Sequence, residues 1–267
     1  MEGKRKSSNK LKRVQSGNIH VFFRGNSRNT VFYDDIEREV FLKKLKSYSN
    51  KLESRILAFI LMDNHVHIQL ITNCLSVLFS NFLRDYSKWY NSKKGLSDKL
   101  FKTPFSSACK YSDEWVLNSN LYILNNPIKA GICKHPSEYK WSSYHFHHNR
   151  PNPLSSIIDV DTGFVDSIFK TKEELDNAII NFLPDIGEIK ERGRDRWTKT
   201  PDYIINKHLL KTLNGQNLFT LDKDETKKMI ITLRRETGAS YRQIASIMHE
   251  SSEYVKRVLT AYFGATN

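Results

Sequence analysis

Two apolar segments separated by a turn constrain the fold of this chain more than any other feature. The segments RILAFILM (residues 55–62) and HVHIQLI (65–71) have the composition of β-strands. The dipeptide Asp-Asn between them is typical of a tight turn, so the two strands are predicted to pair as an antiparallel hairpin. Side chains alternate between the two faces of a strand. His65 and His67 are therefore predicted to lie on the same face.

The elements around this hairpin predict a mixed fold. The segment IHVFFRGN (19–26) has the composition of another strand. Asp34 or Asp35 is predicted to cap a helix whose apolar residues share one face, and a second amphipathic helix covers about residues 75–91. The order strand–helix–strand–strand–helix predicts an α+β sandwich, with an antiparallel sheet and helices on one of its faces.

A third helix is predicted after a loop-like stretch at residues 92–111. It lies near residues 113–126, and Pro127 is expected to end it. Four aliphatic side chains spaced i, i+4, i+7 and i+11 form its core stripe. Tyr122 and Asn126 lie one turn apart on a different face of this helix.

The composition changes beyond residue 150. The segment RPNPLSS (150–156) predicts a domain boundary, and EIKERGRDRWTK (188–199) predicts a basic linker. The C-terminal segment 216–267 is predicted to form three short helices, the first ended by Gly238 and the second begun by a capping box at Ser240. Short helices joined by tight turns resemble a helix-turn-helix, although a bundle used for packing or dimerisation fits the same pattern.

The chain is thus predicted to contain four parts. They are a basic N-terminal arm (1–16), an α+β domain (17–150), a linker with accessory helices (151–215) and a helix-turn-helix-like DNA-binding domain (216–267). The predicted DNA-binding residues are Arg24, Lys129, Arg242, Ser251, Ser252, Lys256 and Arg257.

The charge of the chain favours a polyanionic partner. Its 267 residues include 42 lysines and arginines against 29 aspartates and glutamates, a formal net charge of +13. This favours nucleic acid over an acidic membrane. No run of about 18 apolar residues is present, and no apolar signal core follows the basic N-terminus. With three widely spaced cysteines, these features predict a cytoplasmic, nucleoid-associated protein with no membrane partner.

The two histidines are candidate metal ligands because imidazole binds divalent ions well. An isolated His-x-His is more often a pair of hydrogen-bonded residues on a half-exposed sheet, so a further partner is needed. Tyr122 can supply it, since a tyrosine hydroxyl can attack phosphorus when a metal withdraws charge from the phosphate. The amide oxygen of Asn126 on the same face could complete the metal site. For Tyr122 the alternative is an amphipathic tyrosine with its hydroxyl in water.

At these motifs the sequence resembles the single-tyrosine HUH transposases, in particular the REP-associated tyrosine transposases of the IS200-like family. MDNHVHIQL is similar to the family block M-P-N-H-V-H-L-L-L, and YILNNPIKAGI to Y-I-x-L-N-P-x-x-A-G. IHVFFRGNSRNTVFYDD and WSSY (141–144) resemble two further family segments. The resemblance extends over about residues 17–145 in the order of the family.

The resemblance implies a ferredoxin-like fold and a transposase that cleaves and rejoins single-stranded hairpin DNA. His65 and His67 would be the metal pair, Asn126 would help to hold Mg²⁺ or Mn²⁺, and Tyr122 would form a 5′-phosphotyrosine intermediate. Family members include monomers and homodimers, so both states stay open, and some carry a helix-turn-helix that would contact duplex DNA. The alternatives are a catalytically retired DNA-binding regulator and a metal-dependent hydrolase that uses water.

This sequence departs from the family pattern at three places. Asp63 stands where proline is usual, Leu121 stands where an arginine commonly precedes the tyrosine, and KTPF (102–105) replaces a Gly-Arg-Phe-like stretch. The last two changes remove expected basic contacts near the active site.

Other aromatic and histidine residues have two interpretations. Trp115, Trp141 and Tyr111 could stack on unpaired bases, although packing in the core is the default for tryptophan. The segment HFHHN (145–149) is predicted to be an exposed loop with incidental histidines, and His20 in the first strand a structural residue.

Overall fold

The central sheet has the order β2-β3-β1-β4, and all its neighbouring strands are antiparallel. The computed structural model describes residues 13–149, 152–183 and 202–264. Its first six elements are β1 (Gly17–Arg24), α1 (Asp35–Lys51), β2 (Arg55–Leu61), β3 (His65–Thr72), α2 (Leu75–Lys94) and β4 (Ser106–Cys109). The predicted ferredoxin-like α+β fold is confirmed.

Alternation along the strands places the main core on one face of the sheet. Every second residue of β1 and β3 is buried there, and α1 and α2 pack together over this face. The strand residues in this core are Ile19, Val21, Phe23, Val66, Ile68 and Leu70. Of the two predicted caps, Asp34 is the one that begins α1, and its carboxylate accepts a hydrogen bond of 2.8 Å from the backbone N–H of Glu37.

The predicted loop at 92–111 contains β4, which sequence analysis missed. The segment Ser106–Cys109 reads SSAC and has no apolar alternation that would mark it as a strand. It is a strand because its backbone pairs with the free edge of β1, for example at Val21 opposite Ser107. Backbone hydrogen bonding of this kind depends on which edge is available and leaves little trace in side-chain pattern.

A third helix, α3 (Asp113–Lys129), lies on the face of the sheet opposite to α1 and α2, against β2 and β3. Pro127 does not end it as predicted but lies inside its last turn. A proline in a helix interior costs about 3 kcal/mol. Pro127 has no backbone N–H, so the carbonyl of Ile123, four residues earlier, lacks its usual hydrogen-bond donor in the helix. Pro127 is itself buried, and Ile128 after it packs in an apolar cluster, so burial offsets the cost.

The segment that follows α3 packs back onto the first domain. Leu154 and Ile158, which lie in and just after the predicted boundary, are buried in the main core. Helix α4 (Gly163–Ile168) and helix α5 (Lys172–Ile180) come next, and α5 packs against α3. The side-chain amide of Asn125 on α3 donates a hydrogen bond of 2.7 Å to the carbonyl of Ile179.

The C-terminal helices have their own core. They are α6 (Asp202–Leu213), α7 (Lys223–Thr237), α8 (Tyr241–Met248) and α9 (Ser252–Gly264), and α6 packs on α7 and α8. Gly238 ends α7 with a φ of 66°, and Ser240 and Gln243 form the predicted capping box of α8. The predicted basic linker (188–199) and residues 1–12 of the basic arm lie outside the described residues.

The C-terminal helices dock on the segment between β1 and α1. The hydroxyl of Tyr33 donates a hydrogen bond of 2.6 Å to the carbonyl of Ile247, and Tyr33 is buried in the C-terminal core. His249, which follows α8, donates from Nε2 to the carbonyl of Thr30 at 2.9 Å. Its Nδ1 therefore accepts from the side-chain amide of Asn29 at 3.2 Å.

Within the segments that the structure describes, no helix is long and apolar enough to cross a membrane.

The docking contact predicts acid sensitivity. Burial, together with the charge of Lys94, lowers the pKa of His249 to about 4, although its bond to Thr30 opposes this. In the unfolded chain the imidazole of His249 has a pKa near 6.5. The contribution of neutral His249 to the free energy of unfolding is therefore fully present above that pH and falls as the pH drops towards 4. Between pH 7 and pH 5 the loss should be about 2 kcal/mol.

The measurement is urea unfolding at pH 7 and pH 5 for the wild type and for His249→Asn. Asparagine tolerates the left-handed backbone at this position (φ 55°) and does not titrate. The variant should be less stable at pH 7 but lose less stability on acidification. Equal pH slopes for the two proteins would contradict the prediction.

Candidate active site

The register between β1 and β3 gathers the histidines on the face that α3 covers. Arg24 pairs with His65, Phe22 pairs with His67, and His20 pairs with Gln69. Directly paired residues in an antiparallel sheet point to the same side. The predicted common face of the two histidines is therefore present, and β1 adds an aromatic ring and a cation beside them.

A buried chain of hydrogen bonds fixes the orientation of His67. Its Nδ1 lies 2.9 Å from Nε2 of His20, and Nδ1 of His20 lies 3.0 Å from the hydroxyl of Ser119 on α3. If Nδ1 of His67 carries the proton, it donates a hydrogen bond to Nε2 of His20. Nδ1 of His20 then donates to the hydroxyl of Ser119, and Nε2 of His67 presents a lone pair. His20 was predicted to be structural. Its role beside His67 was missed because it depends on strand pairing.

The second histidine is oriented in a similar way. Nδ1 of His65 lies 2.7 Å from the side-chain oxygen of Asn64. An amide oxygen only accepts hydrogen bonds, so Nδ1 carries the proton and Nε2 of His65 has the lone pair. In most metal sites that use Nε2 of a histidine, the Nδ1–H group donates a hydrogen bond to a neighbouring acceptor, which orients the ring.

The electrostatic surroundings keep the inner imidazoles neutral. Burial, with a contribution from the charge of Lys110, lowers the pKa of His20 to about 3. Burial also lowers the pKa of His67 well below its ordinary value, and electrostatic repulsion from His20, His65 and Lys129 would add to this effect if the ring were protonated. Both rings are therefore uncharged at neutral pH, which is the form that binds a metal.

Tyr122 faces these histidines from α3. Its ring centre is 5.4 Å from that of His67, nearly perpendicular to it, and 5.9 Å from that of His20. The side chain is only 9% exposed and packs with Met62 and Ile123. The ring thus contributes to a small apolar cluster between α3 and β2, although the stripe pattern had placed it outside the core.

The next turns of α3 add two further groups. The side-chain nitrogen of Asn126 donates 2.8 Å to the carbonyl of Tyr122, so the amide oxygen is the atom that could face an ion. Nζ of Lys129 lies 5.3 Å from the centre of the Tyr122 ring. The predicted residues His65, His67, Tyr122 and Asn126 therefore come from two elements that pack together.

Only a small protein donor set is available to a metal here. Among the described residues, no group of three or more histidine, cysteine, aspartate or glutamate side chains could hold an ion. The rings of His65 and His67 have centres 5.4 Å apart. Two imidazoles that share an ion through Nε2 at about 2.1 Å have ring centres roughly 4.5–5.5 Å apart. The spacing of the histidine pair is thus compatible with one shared ion.

The predicted DNA-binding residues fall into two groups. Arg24 pairs with His65 and Lys129 lies over Tyr122, so both belong to the candidate active site. The other group lies on the surface of the C-terminal helices and consists of Arg242 on α8, Ser251 before α9, and Ser252, Lys256 and Arg257 on α9, all exposed. The hydroxyl of Ser251 accepts a hydrogen bond of 3.1 Å from the N–H of Tyr254, which gives it a capping role at the start of α9.

Asp63, which stands where the family that the sequence resembles usually has proline, has a structural function. Its carbonyl accepts hydrogen bonds from the N–H groups of Val31 at 2.7 Å and Phe32 at 3.0 Å. Its carboxylate pairs with Arg38. Burial nevertheless raises the pKa of this carboxyl above its ordinary value, although Arg38 opposes the effect. The turn that precedes His65 is therefore tied to the segment before α1.

The sequence predicted that the histidines at 145–149 are incidental, but this is wrong for one of them. His147 is fully buried, and its Nδ1 lies 2.6 Å from the carboxylate of Asp166 on α4. This partner follows 19 residues later and could not be read from the local histidine-rich pattern.

The three candidate stacking residues are also divided by the structure. Trp141 is buried in the main core, whereas Tyr111 and Trp115 are exposed.

Comparison with known proteins gives a family match to part of the chain. Residues 13–106 match the family described as "Transposase IS200 like". The matched segment contains both histidines of the site and ends before Tyr122. A solved structure, "Structure of the REP associates tyrosine transposase bound to a REP hairpin", is 18% identical and covers 58% of this chain and 93% of its own, with a TM-score of 0.45. No curated protein matches the chain.

Proposed function

We propose, from the premise that residues 13–106 carry an IS200-like transposase domain, that this chain is a metal-dependent DNA strand transferase. Tyr122 is the nucleophile, and single-stranded DNA that forms hairpins is the substrate. The observation that carries the proposal is the approach of the Tyr122 ring to within 5.4 Å of His67, on the face where both histidines have their Nδ1 atoms engaged.

His65 and His67 would hold Mg²⁺ or Mn²⁺ through Nε2, with the amide oxygen of Asn126 as a third donor. Such an ion, when bound, withdraws charge from the phosphodiester and makes phosphorus easier to attack. The three protein donors are neutral, so the protein adds no negative charge to the site. Arg24 and Lys129 would contact the non-bridging oxygens of the same phosphate.

The reaction exchanges one phosphodiester for another. The hydroxyl oxygen of Tyr122 bonds to phosphorus while the bond from phosphorus to the 3′-oxygen of the upstream nucleotide breaks. The phenolic proton leaves through water, and a proton from water completes the new 3′-hydroxyl. The downstream strand stays on the enzyme as a 5′-phosphotyrosine, and attack by a 3′-hydroxyl reverses the step and rejoins strands.

The first test uses hairpin DNAs with single-stranded flanks, labelled at the 5′ or the 3′ end and incubated with Mg²⁺ or Mn²⁺. A denaturing protein gel should show an adduct that carries the 3′ label. Tyr122→Phe should give no adduct, because phenylalanine has no oxygen to bond phosphorus, and its strand cleavage should fall at least 1,000-fold (on the order of 10³ to 10⁶). EDTA should also suppress the adduct, because it removes the ion that would activate the phosphate.

Tyr48→Phe, a half-buried tyrosine on α1, is the matched control and should keep the adduct. Cleavage by Tyr122→Phe at the wild-type rate would contradict the covalent mechanism and favour water as the nucleophile.

The second candidate function is a DNA-binding regulator on a retired transposase fold. The observation that favours it is the full burial of His67 and its hydrogen bond to His20, which is how a purely structural histidine would also be held. Tight binding across a broad hairpin library with no adduct from the wild type would decide for this function.

The hydrogen-bond chain behind His67 predicts that His20 positions the metal ligand. His20→Leu should weaken Mn²⁺ binding about 10- to 100-fold, the usual effect of removing a partner behind a metal ligand. His20→Gln keeps an amide near the position of Nε2 and should restore part of the affinity. The measurement is Mn²⁺ binding by electron paramagnetic resonance without DNA, with circular dichroism to verify folding.

Equal Mn²⁺ affinities in the two His20 variants and the wild type would show that the chain of hydrogen bonds does not position His67.

The exposed residues of α9 predict a separate contact with duplex DNA. Arg257→Ala should weaken binding to duplex DNA. It should also reduce the slope of the logarithm of the binding constant against the logarithm of salt concentration by about 1, the effect of losing one phosphate contact. It should leave the cleavage of a short hairpin unchanged. Arg84→Ala, an exposed arginine on α2, is the control. Loss of hairpin cleavage in Arg257→Ala would instead place α9 in the catalytic unit.

A further inference from the structure

Two large aromatic side chains stand exposed at the start of α3. Tyr111 is 74% exposed and Trp115 is 47% exposed, and their ring centres lie 6.4 Å apart in an edge-to-face arrangement. Among the large aromatic side chains that the structure describes, only these two and Tyr262 are exposed. Two adjacent exposed rings form an apolar surface patch, and such patches are typical of binding sites.

Trp115 lies on the same row of α3 as the proposed nucleophile. Trp115 and Tyr122 are seven residues apart, which is about two helical turns and roughly 10 Å along the axis. Ser119 lies between them and contacts His20 on the sheet, and Asn126 follows one turn after Tyr122. The exposed ring is therefore the outer end of the same helix face that carries the active-site groups.

The sheet continues this surface towards the histidines. Helix α3 packs over β2 and β3, and β1 and β4 form the neighbouring strip of the same face. On this strip Phe22 and Ala108 are half-buried, and the ring centre of Phe22 is 4.7 Å from that of His67. This strip therefore presents apolar side chains beside the candidate active site.

Charged residues surround this surface unevenly. Asp113 and Glu114 directly precede Trp115, Lys110 precedes Tyr111, and Arg24 and Lys129 lie where Tyr122 meets the histidines. A phosphate is favoured beside Arg24 and Lys129 and disfavoured beside the carboxylates of Asp113 and Glu114. The exposed rings are suited to the uncharged, flat part of a nucleotide.

We propose that Tyr111 and Trp115 form a stacking platform for unpaired bases of the DNA strand whose phosphate is presented to Tyr122. The proposal rests on the function proposed above, because it takes that strand as the ligand. Stacking on aromatic rings tolerates any base, so the platform would hold the strand in place without reading its sequence.

The experiment measures binding without chemistry, using Tyr122→Phe protein in EDTA and a hairpin DNA with a labelled single-stranded flank. Trp115→Leu removes the ring but keeps an apolar side chain, and should weaken binding about tenfold, the effect of losing one base stack. Trp115→Phe keeps a ring and should bind within about threefold of the parent. Trp115 is exposed, so neither change is expected to unfold the chain.

Abasic nucleotides placed one at a time along the flank then test the contact directly. At the position that stacks, an abasic nucleotide should weaken binding to the parent protein but not to Trp115→Leu, since that protein has already lost the contact. This non-additivity identifies the base held by the platform. Tyr111→Leu should show the same pattern at that position or the one next to it.

The proposal is overturned if Trp115→Leu binds all these DNAs as the parent does. It is also overturned if Trp115→Leu converts a dimer to a monomer in analytical ultracentrifugation, because the rings would then form an interface between two copies. The two proposals can fail separately. If the abasic nucleotides show the non-additive effect but the wild type forms no covalent adduct, the platform is supported and the transferase function is contradicted.

Discussion

The antiparallel pairing of β1 with β3 is the interaction on which the rest of the structure depends. Its register runs without a break from Gly17 opposite Thr72 to Arg24 opposite His65. A slip of one residue would turn His65 and His67 towards α1 and α2, and would expose the apolar residues that now fill the main core. The hydrophobic core and the candidate active site are thus two faces of one strand pair, and burial of the first face orients the second.

The same region connects the main core with the core of the C-terminal helices. The carbonyl of Asp63, in the turn before His65, holds the segment that precedes α1, and Tyr33 in that segment reaches the C-terminal helices. One short stretch therefore contacts both the turn of the histidine strand and the helices proposed to bind duplex DNA. In the proposed reaction, this contact would hold a duplex-binding surface in a defined position relative to the site that cuts the single strand.

The successes and failures of sequence analysis follow the range of the interactions involved. The hairpin of β2 and β3, the cap at Asp34 and the capping box of α8 all depend on neighbouring residues, and each was predicted and is present. The strand β4 was missed because it forms by pairing with a distant edge. The end of the third helix was misplaced at Pro127 because burial of the last turn opposes the local effect of the proline.

The amino-acid sequence by itself determined that His65 and His67 share a face, because the period of a strand is two residues, and that Tyr122 and Asn126 share a side of one helix. Only the tertiary structure decided that these two faces meet, that His20 and Ser119 stand behind His67, and that Trp115 stays exposed while Trp141 is buried. The physical reason is that periodicity is a property of the local backbone. The partner of a side chain depends on which distant surfaces the chain packs together, and apolar patterning specifies only that each must be covered.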